Sequence, residues 1–217
     1  MTARVGLVGF PLAHSLSPLL HRTLYRLAGI DATYDLWEFP PEAFPADFGS
    51  QVKGGWQGLN VTTPHKEAVI PHCDVLSEGA GAIGAVNHLW VDPRGRLVGD
   101  NKDIDGAYFT LQGIAAANPA WPIARFQEMH LIGLGPAARA VVLGFHRFWR
   151  AERARLKRPP GQDPGRGVVV VYLRDIRPEH HGWLERLAPD LTDDVALVGL
   201  KPLTVLDDGD ASGLLVH

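Results

Sequence analysis

The hydrophobic pattern of the first half of the chain switches repeatedly between strand-like and helix-like periods. Val5 to Val8 is a short apolar run closed by Gly9 and Pro11, which predicts a buried strand. Ser17-Pro18 predicts a helix start, with Ser17 as N-cap and Pro18 at the first helical position. Leu19, Leu20, Leu24, Leu27 and Ala28 then recur at helical spacing until Gly29 ends the run. Thr33 to Phe39 alternates roughly and stops at Pro40-Pro41, a second strand. Gly58 to Val61 predicts a third, running into Thr62-Thr63-Pro64, where a further helix is expected to open. Strands alternating with helices predict an α/β layered domain with a mainly parallel sheet.

After Gly113 the pattern changes. Ala115 to Gln127, with Pro119 and Pro122, interrupts regular structure and reads as a linker or loop, so the domains are drawn as 1–113 and 114–217. Met129 to Ile132 then predicts a buried strand, Gly133-Leu134-Gly135-Pro136 a tight turn, and Ala137 to Trp149 a helix. Strand, glycine turn and helix in that order make a dinucleotide-binding type of unit. Val168 to Leu173 is a strand dominated by β-branched residues, with weaker candidates at Val195 to Val198 and Leu214 to Val216. Between 147 and 167, seven basic residues face only Glu152 and Asp163. A solvated helix end and a Pro/Gly loop account for that segment, with a phosphate-facing or partner-facing patch as the alternative.

Composition narrows the class without naming a chemistry. With 46% hydrophobic and 21% charged residues over 217 positions, the chain has the balance of a soluble globular protein of one large or two small domains. A net charge of -3 gives no electrostatic reason to expect nucleic acid or an anionic membrane as partner. No run approaches the roughly 18 apolar residues of a membrane span, and no signal peptide is recognised at the N-terminus, so a cytoplasmic location is expected. Cys73 is the single cysteine, which excludes an internal disulfide and a multi-cysteine metal site, and no metal is expected.

Several polar clusters sit where an α/β sheet binds ligands, outside the carboxyl ends of its strands. Ser15 and Ser17 bring two hydroxyls to a helix start, suited either to a carboxylate or to plain capping. Asn60 and Thr62 flank the end of the third strand, and Lys66 is expected on the first turn of the following helix. Asn87 and Asp103 stand beside glycines in strand-end turns, where Asn and Asp also serve ordinary turn chemistry.

In this order the clusters resemble one family. Val8-Gly9-Phe10-Pro11-Leu12-Ala13-His14-Ser15-Leu16-Ser17-Pro18 followed by His21 is similar to the opening motif of the shikimate dehydrogenase family. Gly58 to Thr62 with Pro64 and Lys66, Gly84 to Asn87, and Gly99 to Gly106 resemble its later segments. The resemblance covers about Arg4 to Gly113 and continues more weakly beyond. It implies an N-terminal α/β substrate-binding domain followed by a shortened Rossmann-like dinucleotide-binding domain. It further implies Ser15 and Ser17 as the holders of the shikimate carboxylate and Asn60, Thr62, Asn87 and Asp103 as the holders of its ring hydroxyls. Lys66 is implied as the acid/base or electrostatic group at the reacting oxygen, with Asp103 as its partner. The chemistry is coherent: hydride addition to a ketone puts negative charge on oxygen, which an ammonium stabilises and can protonate.

For the cofactor, Gly133, Gly135, Pro136 and Ala137 resemble the family's glycine turn, whose backbone amides face a pyrophosphate. Arg174 falls where the family meets the 2′-phosphate of NADP, while the adjacent Asp175 is the residue type that binds the ribose of NAD, so NADP is expected with NAD as the alternative. Lys102 stands where the family has Thr, and its side chain either turns into the site or out into water. The family continues into a segment with a substrate-binding tyrosine, a late glutamine and a returning helix, for which this chain shows no counterpart. Its Asn-Ala/Ser-Thr-Pro segment is approached only by Gly199-Leu200-Lys201-Pro202-Leu203. The expected activity is reversible NADP(H)-dependent reduction of 3-dehydroshikimate to shikimate. The alternative is a non-catalytic shikimate-type binder or regulatory paralogue. A small-molecule substrate and self-association into a homodimer complete the expected partners.

Overall fold

A computed structural model of the chain describes residues 2–120, 128–156, 167–173, 182–183 and 195–202. The backbone groups into two compact units that meet in sequence between Lys102 and Asp103.

The first unit is built on six strands: β1 (Ala3–Gly9), β2 (Ala32–Glu38), β3 (Gly58–Val61), β4 (Val75–Leu76), β5 (His88–Val91) and β6 (Leu97–Asp100). Their order across the sheet is β2-β1-β3-β5-β6-β4. Every pair is parallel except those of β5, which runs antiparallel to both β3 and β6. The sheet is mainly parallel, as the pattern predicts, with β5 as one reversed strand in its interior. One face of the sheet carries the main core, where Val8, Leu59 and Leu89 pack with Phe48 and Val52 of helix α2 (Phe48–Gly55). Phe48, Val52, Leu89 and Leu97 have no exposed surface, and Trp37 stacks on Phe48 and Trp56 at 5.2 and 5.3 Å. Helix α3 (Glu78–Ile83) is short and capped by Ser77, whose hydroxyl accepts from the amide of Ala80 at 3.1 Å.

The opposite face carries helix α1 (Ser17–Ala28), and here the pattern misleads. Its N-cap is Leu16 rather than Ser17, with Ser15 accepting from the Ser17 amide at 3.3 Å. None of its residues is buried, and Leu19, Leu20, Leu24 and Leu27 are 69%, 57%, 49% and 76% exposed. The less exposed positions are Ser17, Pro18, His21, Thr23 and Tyr25. His21 stacks on Tyr34 of β2 at 4.2 Å, and the Arg22 guanidinium donates to the Tyr34 carbonyl at 2.7 and 3.1 Å. The polar–aromatic stripe at i, i+4, i+8 holds the helix to the sheet, and the leucine stripe is turned away.

No α-helix opens at Thr62-Thr63-Pro64. Residues 63–69 form successive turns leading into a 3-10 turn at Ile70–His72. A helix through Lys66 would need its carbonyl for residue 70; instead that carbonyl accepts from the amide of Val86 at 2.7 Å, just before β5.

The second unit contains a three-stranded parallel sheet, β7 (Glu128–Ile132), β8 (Gly167–Leu173) and β9 (Val195–Pro202), in sequence order. Val169, Val170 and Val171 are all buried, as expected of a parallel strand covered on both faces. Helix α4 (Asp103–Ala117), which the sequence pattern leaves with the first domain, groups here because it packs along α5 (Pro136–Leu156). The helices approach so closely that a Cβ at Gly144 would lie 2.6 Å from the Cβ of Ala107 and 3.0 Å from the Ile104 carbonyl oxygen. Arg147 pairs with Asp105 and lies over the Tyr108 ring at 5.0 Å. Helix α5 extends to Leu156, so the first basic residues of the 147–167 segment are helical, with Arg155 paired to Glu152 at 2.8 Å. Its remainder lies outside the described residues, as do most of the linker from Ala115 to Gln127 and the strand candidate Leu214 to Val216. No helix among the described residues is long and apolar enough to cross a membrane.

Candidate active site

Because β1, β3 and β6 run in one direction and β5 in the other, the start of β5 lies at the carboxyl edge of its neighbours. This reversal brings Asn87 to the same edge as Asn60 and Asp100. The Val61 amide donates to the Asn87 carbonyl at 2.9 Å, and the Asn87 amide donates to the Asp100 carbonyl at 3.0 Å. Thr62 is tied to the end of β1, its amide donating to the Val8 carbonyl at 2.9 Å. The Ser15 loop follows β1 and is anchored across the sheet, with the Leu12 amide donating to the Glu38 carboxylate at 3.0 Å. Ser15, Ser17, Asn60, Thr62, Lys66 and Asn87 all belong to the first unit and are all half-buried. Asp103 opens α4 in the second.

A link that sequence reasoning missed is Tyr34. Its ring is 1% exposed, and its hydroxyl donates to Asn60 Oδ1 at 3.0 Å. Burial pushes the phenol up to about 12, a hydrogen bond with Ser17 pulls the other way, and Tyr25 adds to the rise. One buried hydroxyl thus connects the opening motif to the third-strand motif. The signal available was only that Tyr34 sits in a short strand; its partners lie 17 and 26 positions away.

Lys102 adopts neither of the two arrangements in simple form. Its side chain is 58% exposed, yet its Nζ reaches Asp100 Oδ2 at 2.6 Å. Its backbone amide donates to Asn87 Oδ1 at 2.8 Å. Burial raises the Asp100 carboxyl, but hydrogen bonds from Lys102, Ser77 and the Asn101 amide outweigh it and hold the group below its ordinary value.

In the second unit the glycine turn is formed as expected. Gly133 has φ +89°, a conformation that side chains rarely adopt, and Pro136 begins α5. Among the described residues, open space lies above Gly135, so another backbone-sized group can approach there. Pro136 offers no N–H, which leaves Ala137 and Ala138 as the first helix amides able to face a phosphate. The turn fits a dinucleotide pyrophosphate with one donor fewer. Arg174 and Asp175 lie outside the described residues.

A polar carboxyl edge on a mixed α/β sheet, followed by a parallel unit with a strand, glycine turn and helix, defines a class of two-part α/β proteins with a ligand edge first and a dinucleotide-type turn second. Residues 7–89 match the family described as the shikimate dehydrogenase substrate binding domain. Over those residues the chain is similar to the shikimate dehydrogenase family. It is similar to the shikimate dehydrogenase (NADP(+)) of Methylobacterium radiotolerans, at 40% identity over 178 residues, covering 79% of this chain and 62% of that protein. It is 41% identical to the enzyme of the same name from Thermococcus kodakarensis over 140 residues, covering 64% of this chain and 48% of the other. The chain therefore spans less than two thirds of these curated relatives. A crystal structure of shikimate 5-dehydrogenase from Thermus thermophilus in complex with NADP(H) and shikimate matches with a TM-score of 0.61 and 28% identity. That match covers 99% of this chain and 73% of the other.

Proposed function

We propose that the protein is an oxidoreductase of the shikimate dehydrogenase type, interconverting 3-dehydroshikimate and shikimate with NADP(H). The observation that supports this reading is the sheet edge where Asn60, Thr62 and Asn87 lie at or beside strand ends, with the buried Tyr34 hydroxyl linking Asn60 to Ser17 at the start of α1. Ser15 and Ser17, at the start of α1, hold the ring carboxylate. Asn60, Thr62, Asn87 and Asp103 hold the ring hydroxyls. Lys66 is the group at the oxygen that changes between carbonyl and alcohol, stabilising its developing negative charge and supplying its proton on reduction. Asp103 is the carboxylate that orients the lysine. Bound NADP supplies or accepts the hydride. Gly133, Gly135, Pro136 and Ala137 form the turn that receives its pyrophosphate, and Arg174 is the residue for its 2′-phosphate.

The names of the curated relatives favour this enzyme over a non-catalytic binder of the same ligand. A homodimer is the further assembly proposed. The direct test is NADPH formation by the 217-residue chain with shikimate, together with calorimetric titration of shikimate and of NADP. Turnover supports the enzyme. Shikimate binding without turnover selects the binder, and absence of both refutes the reading.

A further inference from the structure

We propose that His88 is an additional ligand-facing residue of this edge, its imidazole accepting a hydrogen bond from a ring hydroxyl of the bound hydroxy acid; the assignment rests on the functional reading above. The ladder register carries it. Asn60 is directly opposite His88 in the β3–β5 pair, and His88 is directly opposite Asp100 in the β5–β6 pair. Residues directly opposite in antiparallel strands share a face, with Cα atoms about 4.5–5.5 Å apart. Asn60, His88 and Asp100 therefore form a row across three strands at the candidate ligand edge. Tyr34 reaches Asn60 within this row, and its stack with His21 identifies the face as the one that carries α1.

The imidazole is half-buried against Trp90, at a ring separation of 5.4 Å. Among the described residues no hydrogen bond engages its nitrogens, and no fully enclosed side-chain nitrogen or oxygen lacks a partner. Its nitrogens are therefore not fully enclosed, and a ligand hydroxyl is the partner proposed for them.

The neighbouring Asn60 explains why an acceptor is wanted there. Its Oδ1 already accepts from the Tyr34 hydroxyl, and its side-chain N–H groups are donors suited to a ligand hydroxyl. A hydroxyl that accepts from such a donor still has its own proton to place. Neutral imidazole offers one acceptor nitrogen and one donor nitrogen. Burial lowers the His88 pKa and the Lys102 cation lowers it further, against the opposing pull of Asp100, which favours the neutral ring.

The test is calorimetric titration of the parent chain, His88→Ala and His88→Gln with shikimate and with analogues each lacking one ring hydroxyl. Loss of one neutral hydrogen bond predicts about tenfold weaker shikimate binding by His88→Ala. His88→Gln, whose amide oxygen accepts, recovers most of that loss. One deoxy analogue binds the parent more weakly than shikimate but binds His88→Ala as well as shikimate does, a selectivity that a merely structural residue would not produce. Unchanged shikimate affinity in His88→Ala, or an equal loss toward shikimate and every analogue, overturns the assignment. A parent chain without shikimate affinity overturns the functional reading itself and His88 with it.

Discussion

Replacing Tyr34 by Phe removes one oxygen from the buried junction between the opening motif and the third strand, and its consequence changes sign with pH. At neutral pH the variant loses the hydroxyl that donates to Asn60 Oδ1. A hydrogen bond of this kind contributes about 1 kcal/mol, and the half-buried Asn60 oxygen can recover part of it from water. The parent is therefore more stable by about 1 kcal/mol at most. The phenol has an ordinary value of 10.0 and is raised to about 12 in the fold, chiefly by burial. A group whose folded pKa is raised contributes its full stability below the unfolded value and loses it as pH climbs through the folded one. Between about pH 10 and 12 the unfolded chain ionises Tyr34 while the folded chain still holds its proton, so the parent loses stability. Two pKa units correspond to a ceiling of about 2.7 kcal/mol. Tyr34→Phe carries no such titration, and other groups titrate alike in both proteins. Urea denaturation of the two proteins across alkaline pH should give stability curves that converge above about pH 10 and cross before about pH 12. Curves that stay parallel would refute the buried, linked phenol.

Lys66→Ala should lower turnover far more than shikimate affinity, since an interaction made mainly in the transition state lowers rate with little change in ground-state binding; steady-state kinetics with calorimetry distinguishes this from a pure binding role. Gly144→Ala should destabilise the chain because its Cβ would meet Ala107 at 2.6 Å, whereas Gly106→Ala, in open space on α4, should stabilise it by up to about 1 kcal/mol. Chemical denaturation of both variants checks the pair. Lys102→Thr should raise the pKa of His88, because the Lys102 cation lowers it, and Asp100→Asn should lower it further; imidazole titration by NMR reads both. Stability should change by no more than about 1 kcal/mol in Lys102→Thr, since the lysine is largely exposed.

Local signals in the sequence determined much of this protein. The apolar runs of β1, β3, β7 and β8, Pro18 at a helix start, the Gly29 stop and the glycine turn after Ile132 depend on neighbours within a few residues. Each is legible without the fold. The ordered motifs from Ser15 to Asp103 likewise carried the family resemblance. The tertiary structure alone decided how these pieces meet. No local preference says that β5 runs backward, and only that reversal puts Asn87 beside Asn60 and makes His88 opposite both Asn60 and Asp100. No helical period says which stripe of α1 meets the sheet, and there the stack of His21 on Tyr34 and the Arg22 bonds hold the polar–aromatic side against it. The expected helix at Lys66 failed for the same reason: its carbonyl is claimed by Val86, twenty positions on, and a residue cannot know from its neighbours that a distant amide will compete for it.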